Sequence, residues 1–166
     1  MRVYPDAKIK MPDNEDMLRD RALTPLSQQH HNGLALCVLT ERALAADRSE
    51  ASIQKVARKA IDRYEIELTN HFGIEEQVLF PLIERELGKM AMVAELLGDH
   101  RALKGMINQM RAAPSAELLE KFCGLLRSHI RREENELFQD IQQRLPKDAL
   151  ASAGKEIDAR ALRICL

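Results

Sequence analysis

Four stretches of the chain repeat apolar residues at three- and four-residue spacing, and each is bounded by residues that break helices. The first opens at Thr24 or Pro25 and runs to about residue 46; threonine suits an N-cap and proline is tolerated in a first turn. After a polar connection, DRSEAS, with Ser49 or Ser52 as the next cap, a second stretch carries Ile53, Val56, Ala60, Tyr64 and Leu68 and reaches Glu86 or Leu87, where Gly88 supplies the stop. Pro81 is expected to kink this helix or end it early, since proline removes a backbone donor and clashes with the preceding turn. The third stretch, about residues 89–111, sets Met92, Leu96, Leu103, Ile107 and Met110 on one face and closes at AAPS. Ser115 followed by Glu117 opens the fourth, which repeats Leu118, Phe122, Leu125 and Leu126 and continues to Leu145 before Pro146. Residues 1–22, with Pro5, Pro12 and the acidic run DNED, show no sustained period and read as an arm; residues 147–166 form a tail with room for a short helix from Asp148. Residues 23–146 are then one domain. Four helices on short connections predict an all-α, up-down-up-down antiparallel bundle.

Composition narrows the partners. A chain of 166 residues, 45% hydrophobic and only 4% aromatic, suits one helical core better than a β-rich fold. Lys plus Arg (25) nearly balances Asp plus Glu (26), so no overall field draws nucleic acid or an anionic membrane, and neither is expected as a partner. The longest apolar run, LALCVL at 34–39, is far below the roughly 20 residues of a spanning helix. The N-terminus lacks an apolar signal core, and a cytoplasmic location is expected. Cys37, Cys123 and Cys165 are an odd number without CxxC spacing, so neither a disulfide framework nor a zinc knuckle is indicated. Cys37 and Cys123 read as small core residues, Cys165 as an exposed, oxidisable thiol.

An internal repeat carries the chemistry. HFGIEEQVLFPLIEREL (71–87) aligns without gaps on HIRREENELFQDIQQRL (129–145), sharing His, both Glu, Leu, Phe, Ile and the final Leu. Apolar matches at helical spacing are what any two amphipathic helices show, but the His and paired Glu are not. Residues i and i+4 lie about 40° apart around a helix, so His71 with Glu75, and His129 with Glu133, form two-ligand arms. Each arm heads an inward stripe, Leu79, Ile83, Leu87 in one and Leu137, Ile141, Leu145 in the other. A carboxylate on such a stripe is costly unless a cation neutralises it, and neither stripe contains Lys or Arg. The other two helices bring His100, in frame with Leu96, Leu103 and Ile107, and His30, in frame with Leu26 and Leu34. His31 has apolar support of its own from Leu34 and Val38; His30 is the preferred inward residue.

A lone core histidine is more often a hydrogen-bonded packing residue than a ligand. Here all five histidines fall in these four segments, one per helix. Four imidazoles and two carboxylates, without thiolate, favour iron or another first-row metal over structural zinc. If Glu75 and Glu133 both bridge and an oxo or hydroxo joins them, each of two metals has five ligands and one open octahedral position, suited to O2, NO, peroxide or water.

With a His on helix 1, HxxxE on helix 2, a His on helix 3 and HxxxE on helix 4, the sequence resembles the hemerythrin-like family, the HHE cation-binding domains, over about residues 24–145. The resemblance implies a four-helix bundle around a non-haem di-iron centre, with His30, His71, Glu75, His100, His129 and Glu133 as ligands. It implies roles in O2 binding, O2 or redox sensing, iron handling or iron–sulfur repair. The oxygen carriers have HxxxH on helix 3, where this chain has Lys104, and an acid five residues after the last histidine, a position held here by Glu134. A four-His, two-carboxylate variant is therefore expected rather than a reversible carrier, with Glu76 and Glu134 facing outward as solvated charges. Tyr64 and Glu67 share the face of His71 as outer partners, an extra ligand, or ordinary packing and surface residues. The family's cluster-repair members carry an N-terminal cysteine pair, which the first 22 residues lack, so that role is disfavoured. No output segment is attached to the expected bundle, so sensing would work through a signalling partner or the arm and tail; a homodimer is also compatible. Binding or sensing of O2, NO or redox state is favoured over a peroxide- or NO-consuming oxidoreductase. A metal-free interaction bundle, with every His and Glu satisfied by hydrogen bonds, is the remaining alternative.

Overall fold

A computed structural model describes residues 18–163, and five helices make up the fold. They are α1 (Thr24–Ala46), α2 (residues 50–87), α3 (Ala91–Ala112), α4 (residues 116–144) and α5 (Lys147–Arg160). Helix α1 packs against α2 and α4, and α3 packs against the same two, which closes a four-helix bundle. Cross-helix pairs give the directions. Along α1 and α4, Arg19 meets Glu134 at one end and Arg48 meets Glu120 at the other. Along α2 and α3, Glu65 meets Arg111 while Glu76 meets His100. Neighbours therefore run antiparallel. Among the described residues, no helix is long and apolar enough to cross a membrane.

Local chemistry sets the helix ends. Ser49 and Ser115 accept hydrogen bonds from the amides of Ser52 and Leu118, so they cap α2 and α4. Thr24 is not a cap. Leu23 occupies that position, and the Thr24 hydroxyl turns back to donate to the Asp20 carbonyl at 3.3 Å. Of the expected arm, residues 1–17 lie outside the described residues, as does Cys165. Ala22 and Leu23 are already buried, and Arg19 reaches α4. Cys37 and Cys123 are buried core thiols, with Cys37 Sγ 3.6 Å from the Cys123 carbonyl oxygen. Helix α5 seats on the start of α1 because position 154 is glycine: a Cβ there would lie 2.6 Å from that of Ala22.

Two of the long helices are interrupted by π-helical turns, in Tyr64–Leu68 and Glu75–Leu79 on α2 and in Glu133–Leu137 on α4. In each, the next amide bonds five residues back: Thr69 to Tyr64, Phe80 to Glu75, Phe138 to Glu133. Such a turn adds one residue and advances the register by about 100°. Of the two outcomes expected of Pro81, an early end does not occur; it follows the second wide turn, where the ladder is already changing partners, and α2 continues to Leu87 as the sequence predicts. The same shift bends the expected stripe. Phe80 and Leu82 join Leu79 and Ile83 in the core, while Leu87 is left half-buried.

The apolar interior forms two clusters. One contains Leu36, Leu68, Leu103 and Ile130, the other Leu26, Leu79, Leu96 and Leu137. On α1 and α3 the histidine falls between the two clusters, and on α2 and α4 the HxxxE arm lies where they meet, so a polar layer crosses the middle of the core.

Candidate metal centre

That layer contains His30, His71, Glu75, His100, His129 and Glu133, all buried; both glutamates are fully enclosed. Their ligand atoms form two groups, His30, His71, Glu75 and Glu133, and Glu75, His100, His129 and Glu133, each with its atoms within 4.8 Å of one another. The glutamates belong to both groups. His71 Nε2 is 3.1 Å from Glu75 Oε1, His100 Nε2 3.3 Å from Glu75 Oε2, His129 Nε2 3.2 Å from Glu133 Oε2, and His30 Nε2 3.0 Å from Glu133 Oε2. Two donor atoms about 2.1 Å from one cation and at right angles to each other sit about 3.0 Å apart, so this spacing suits a shared metal.

Hydrogen bonding accounts for only one of these contacts, that of His30 Nε2 with Glu133 Oε2. His71 Nε2, His100 Nε2, His129 Nε2, both oxygens of Glu75 and Glu133 Oε1 are buried with no hydrogen-bond partner. Leaving one such atom unsatisfied costs about 1–3 kcal/mol, and more when it is charged. Six convergent orphans in one layer, all lone-pair donors of hard or borderline character, fit a cation and nothing else that the chain supplies.

The outer nitrogens are all engaged, and their partners form a ring. His71 Nδ1 donates to Gln29 Oε1 at 3.0 Å, His100 Nδ1 to Glu76 Oε1 at 2.8 Å, His129 Nδ1 to Asp99 Oδ2 at 3.3 Å, and His30 Nδ1 to Glu134 Oε1 at 2.6 Å. Each acceptor is the chain neighbour of a ligand on its own helix but serves the histidine of the next helix around the bundle. The reason is rotational. A neighbour one residue along is turned by about 100°, and residue −1 on α1 and α3 turns the same way around the bundle as residue +1 on the oppositely running α2 and α4. Glu134 is therefore half-buried and not the outward solvated charge expected from the sequence, while Glu76 is exposed as expected but also accepts from His100. The ring fixes each Nδ1 as the protonated nitrogen and leaves Nε2 free to ligate. Arg19 and Arg132 brace it from outside, Arg19 Nη2 at 2.6 Å from Glu134 Oε2 and Arg132 Nη2 at 3.0 Å from Asp99 Oδ2.

Electrostatics of the metal-free layer follow from this packing. Burial disfavours a charged His30, but Glu133 and Glu134 outweigh it and push the imidazole up to about 9. Burial prevails at His71, which is lowered, whereas Glu133 and Glu75 overcome it at His129, which is raised. Burial opposes ionisation of Glu75 and Glu133, yet the surrounding imidazoles hold both below the ordinary carboxylate range. Glu134, despite burial, is drawn down to about 2 by His30, Ser27 and Arg19. The carboxylates are ionised and ready for a cation.

Other candidates fall elsewhere. His31 is exposed and its Nδ1 donates to the Ser27 carbonyl at 2.8 Å. Tyr64 packs edge-on to Phe72, and Glu67 pairs with Arg63 one turn away, so neither enters a ligand group. Gln29 and Asp99 were not singled out by sequence, although each adjoins a predicted ligand, and that adjacency was the available signal.

Comparison with curated proteins and with solved structures finds no match. Residues 22–141 match the family described as the Hemerythrin HHE cation binding domain, a span that contains all six ligand candidates and all four ring acceptors. The chain thus belongs to the hemerythrin HHE cation-binding family.

Proposed function

We propose that the polar layer holds two non-haem iron ions and that the protein uses them to bind or sense O2, NO or redox state. His30 and His71 would serve one ion, His100 and His129 the other, with Glu75 and Glu133 shared. The single observation behind this reading is the convergence of six buried, unpartnered ligand atoms on two groups that share their carboxylates. An oxo- or hydroxo-bridged iron pair would supply reversible redox chemistry and an open coordination position.

The chain's own residues favour a small neutral ligand. Phe72 stacks on His100 at 3.9 Å between centroids, and Phe138 on His30 at 5.5 Å, so phenyl rings wall the imidazoles and exclude water. A surface cavity of about 420 Å³ reaches His100 and Glu76 past Tyr64, Phe72 and Gly73. A Cβ at Gly73 would meet nothing within 4 Å, which leaves that wall open. This approach is wide enough for a diatomic molecule and ends at one side of the centre.

The test is metal analysis with optical spectra of wild type and of the Glu75→Ala, Glu133→Ala double variant, each expressed with iron. About two irons per chain are expected in wild type, with oxo-bridge absorption that responds to O2 or NO, and almost none in the variant. Unchanged metal in the variant would overturn the ligand assignment. Multiple turnover of peroxide or NO with a reductant would instead make the protein an oxidoreductase.

A further inference from the structure

Three ring acceptors are carboxylates, which only accept; Gln29 is an amide and also donates. Its Nε2 bonds Asn70 Oδ1 at 2.9 Å and the Leu162 carbonyl at 3.3 Å. Asn70 continues outward, donating to the Arg160 carbonyl at 3.0 Å and accepting from the Leu162 amide at 3.0 Å. A continuous hydrogen-bonded path therefore joins His71 Nδ1 to the segment that leaves α5. Nothing about a bundle requires this: His71 needs one acceptor, and α5 already has Leu150 and Ile157 buried to hold it.

We infer that residues 160–162 are coupled to the metal centre through Asn70 and Gln29, so that cation binding and docking of this segment strengthen each other. Asn70 and Gln29 are positioning residues. When Asn70 and Leu162 fix the Gln29 amide, its carbonyl oxygen is aimed at His71 Nδ1 and Nε2 is aimed at the ion; when the segment lifts, Gln29 is free to rotate and the aim is lost. Coupling of this kind is reciprocal, so an ion that locks His71 must also tighten the segment. The C-terminal end of α5 thereby becomes the place where occupancy of the buried centre is legible at the surface. It borders a cavity lined by Gln28, His31, Asn32, Ala161 and Arg163, where a partner would meet it.

The inference rests on the six residues holding metal, and two measurements separate the claims. Ferrous iron is added anaerobically, and its affinity is read by chelator competition in wild type and Asn70→Ala. Hydrogen exchange of the Leu162 amide is followed in wild type with and without iron. About ten- to a hundredfold weaker binding in Asn70→Ala is expected, at unchanged melting temperature of the metal-free protein, together with Leu162 exchange slowed at least about tenfold by iron. Iron bound equally by both proteins, or Leu162 exchange indifferent to iron, would overturn the coupling alone. Wild type that takes up no iron would overturn the metal reading and the coupling with it.

Discussion

The two HxxxE arms share a backbone and differ in what stands behind them. Both place a glutamate at the start of a π-helical turn, and in both the following aromatic, Phe80 or Phe138, bonds back to that glutamate. Behind His71, however, α1 offers the neutral amide of Gln29; behind His129, α3 offers the carboxylate of Asp99, itself tied to Arg132. His71 is lowered and His129 raised from the ordinary histidine value. Those shifts come from burial and the shared glutamates; the neighbouring helix adds an amide behind one arm and a carboxylate behind the other, and the two metal groups are expected to bind unequally.

The largest test of that asymmetry is pH. Without metal, His30 is protonated on both ring nitrogens, Nδ1 donating to Glu134 and Nε2 to Glu133, and a cation must expel the Nε2 proton from the group that includes His71. Affinity of that group should fall about tenfold for each pH unit below about 9, in calorimetric titrations of the metal-free protein. Stability of the metal-free protein runs the other way. A folded value near 9, above the free value of 6.5, stabilises fully below 6.5, and that contribution is lost as pH rises through 9. Glu134 acts at the acid end: its folded value near 2 lies below the free 4.5, so its contribution is present above 4.5 and lost as pH falls through 2. Pairwise flat affinity from pH 6 to 8 would contradict the proton on His30.

Next in size is Asp99→Asn, which puts an amide behind both arms. Binding by the His100 and His129 group should weaken about ten- to a hundredfold and the two affinities should draw together. Equal loss at both groups in a stepwise titration would mean that Asp99 supports the bundle rather than one ion. The smallest effect concerns the backbone. Pro81 follows the wide turn of α2 where α4 has Gln139. Pro81→Gln should change chemical-denaturation stability by less than about 1 kcal/mol, because the turn already absorbs the lost donor; a gain near 3 kcal/mol, the usual helix-interior value, would show strain instead.

The residues of the polar layer were legible because i, i+4 spacing and an apolar frame are both one-dimensional facts: His71 with Glu75, His129 with Glu133, His100 between Leu96 and Leu103. The helix order was equally so, from Gly88, the AAPS stop and Pro146. The ring was not, since Glu76 and Glu134 look solvated on their own helix and acquire partners only when the next helix arrives. The π-helical turns also leave no mark in composition, and Leu87 is half-buried where a uniform period placed it in the stripe. Thr24 shows the same limit at smaller scale: a good capping residue loses the cap when Asp20 offers its hydroxyl a carbonyl.

His30 and Glu133 stand 103 residues apart in the chain yet 3.0 Å apart in the layer. A cation held between them would work as a reversible cross-link between distant parts of the chain, stabilising the folded state for as long as it stays bound. Metal supply would then set how long each molecule survives: chains deprived of metal would open more often and meet proteases first, so metal availability would be written into the protein's lifetime.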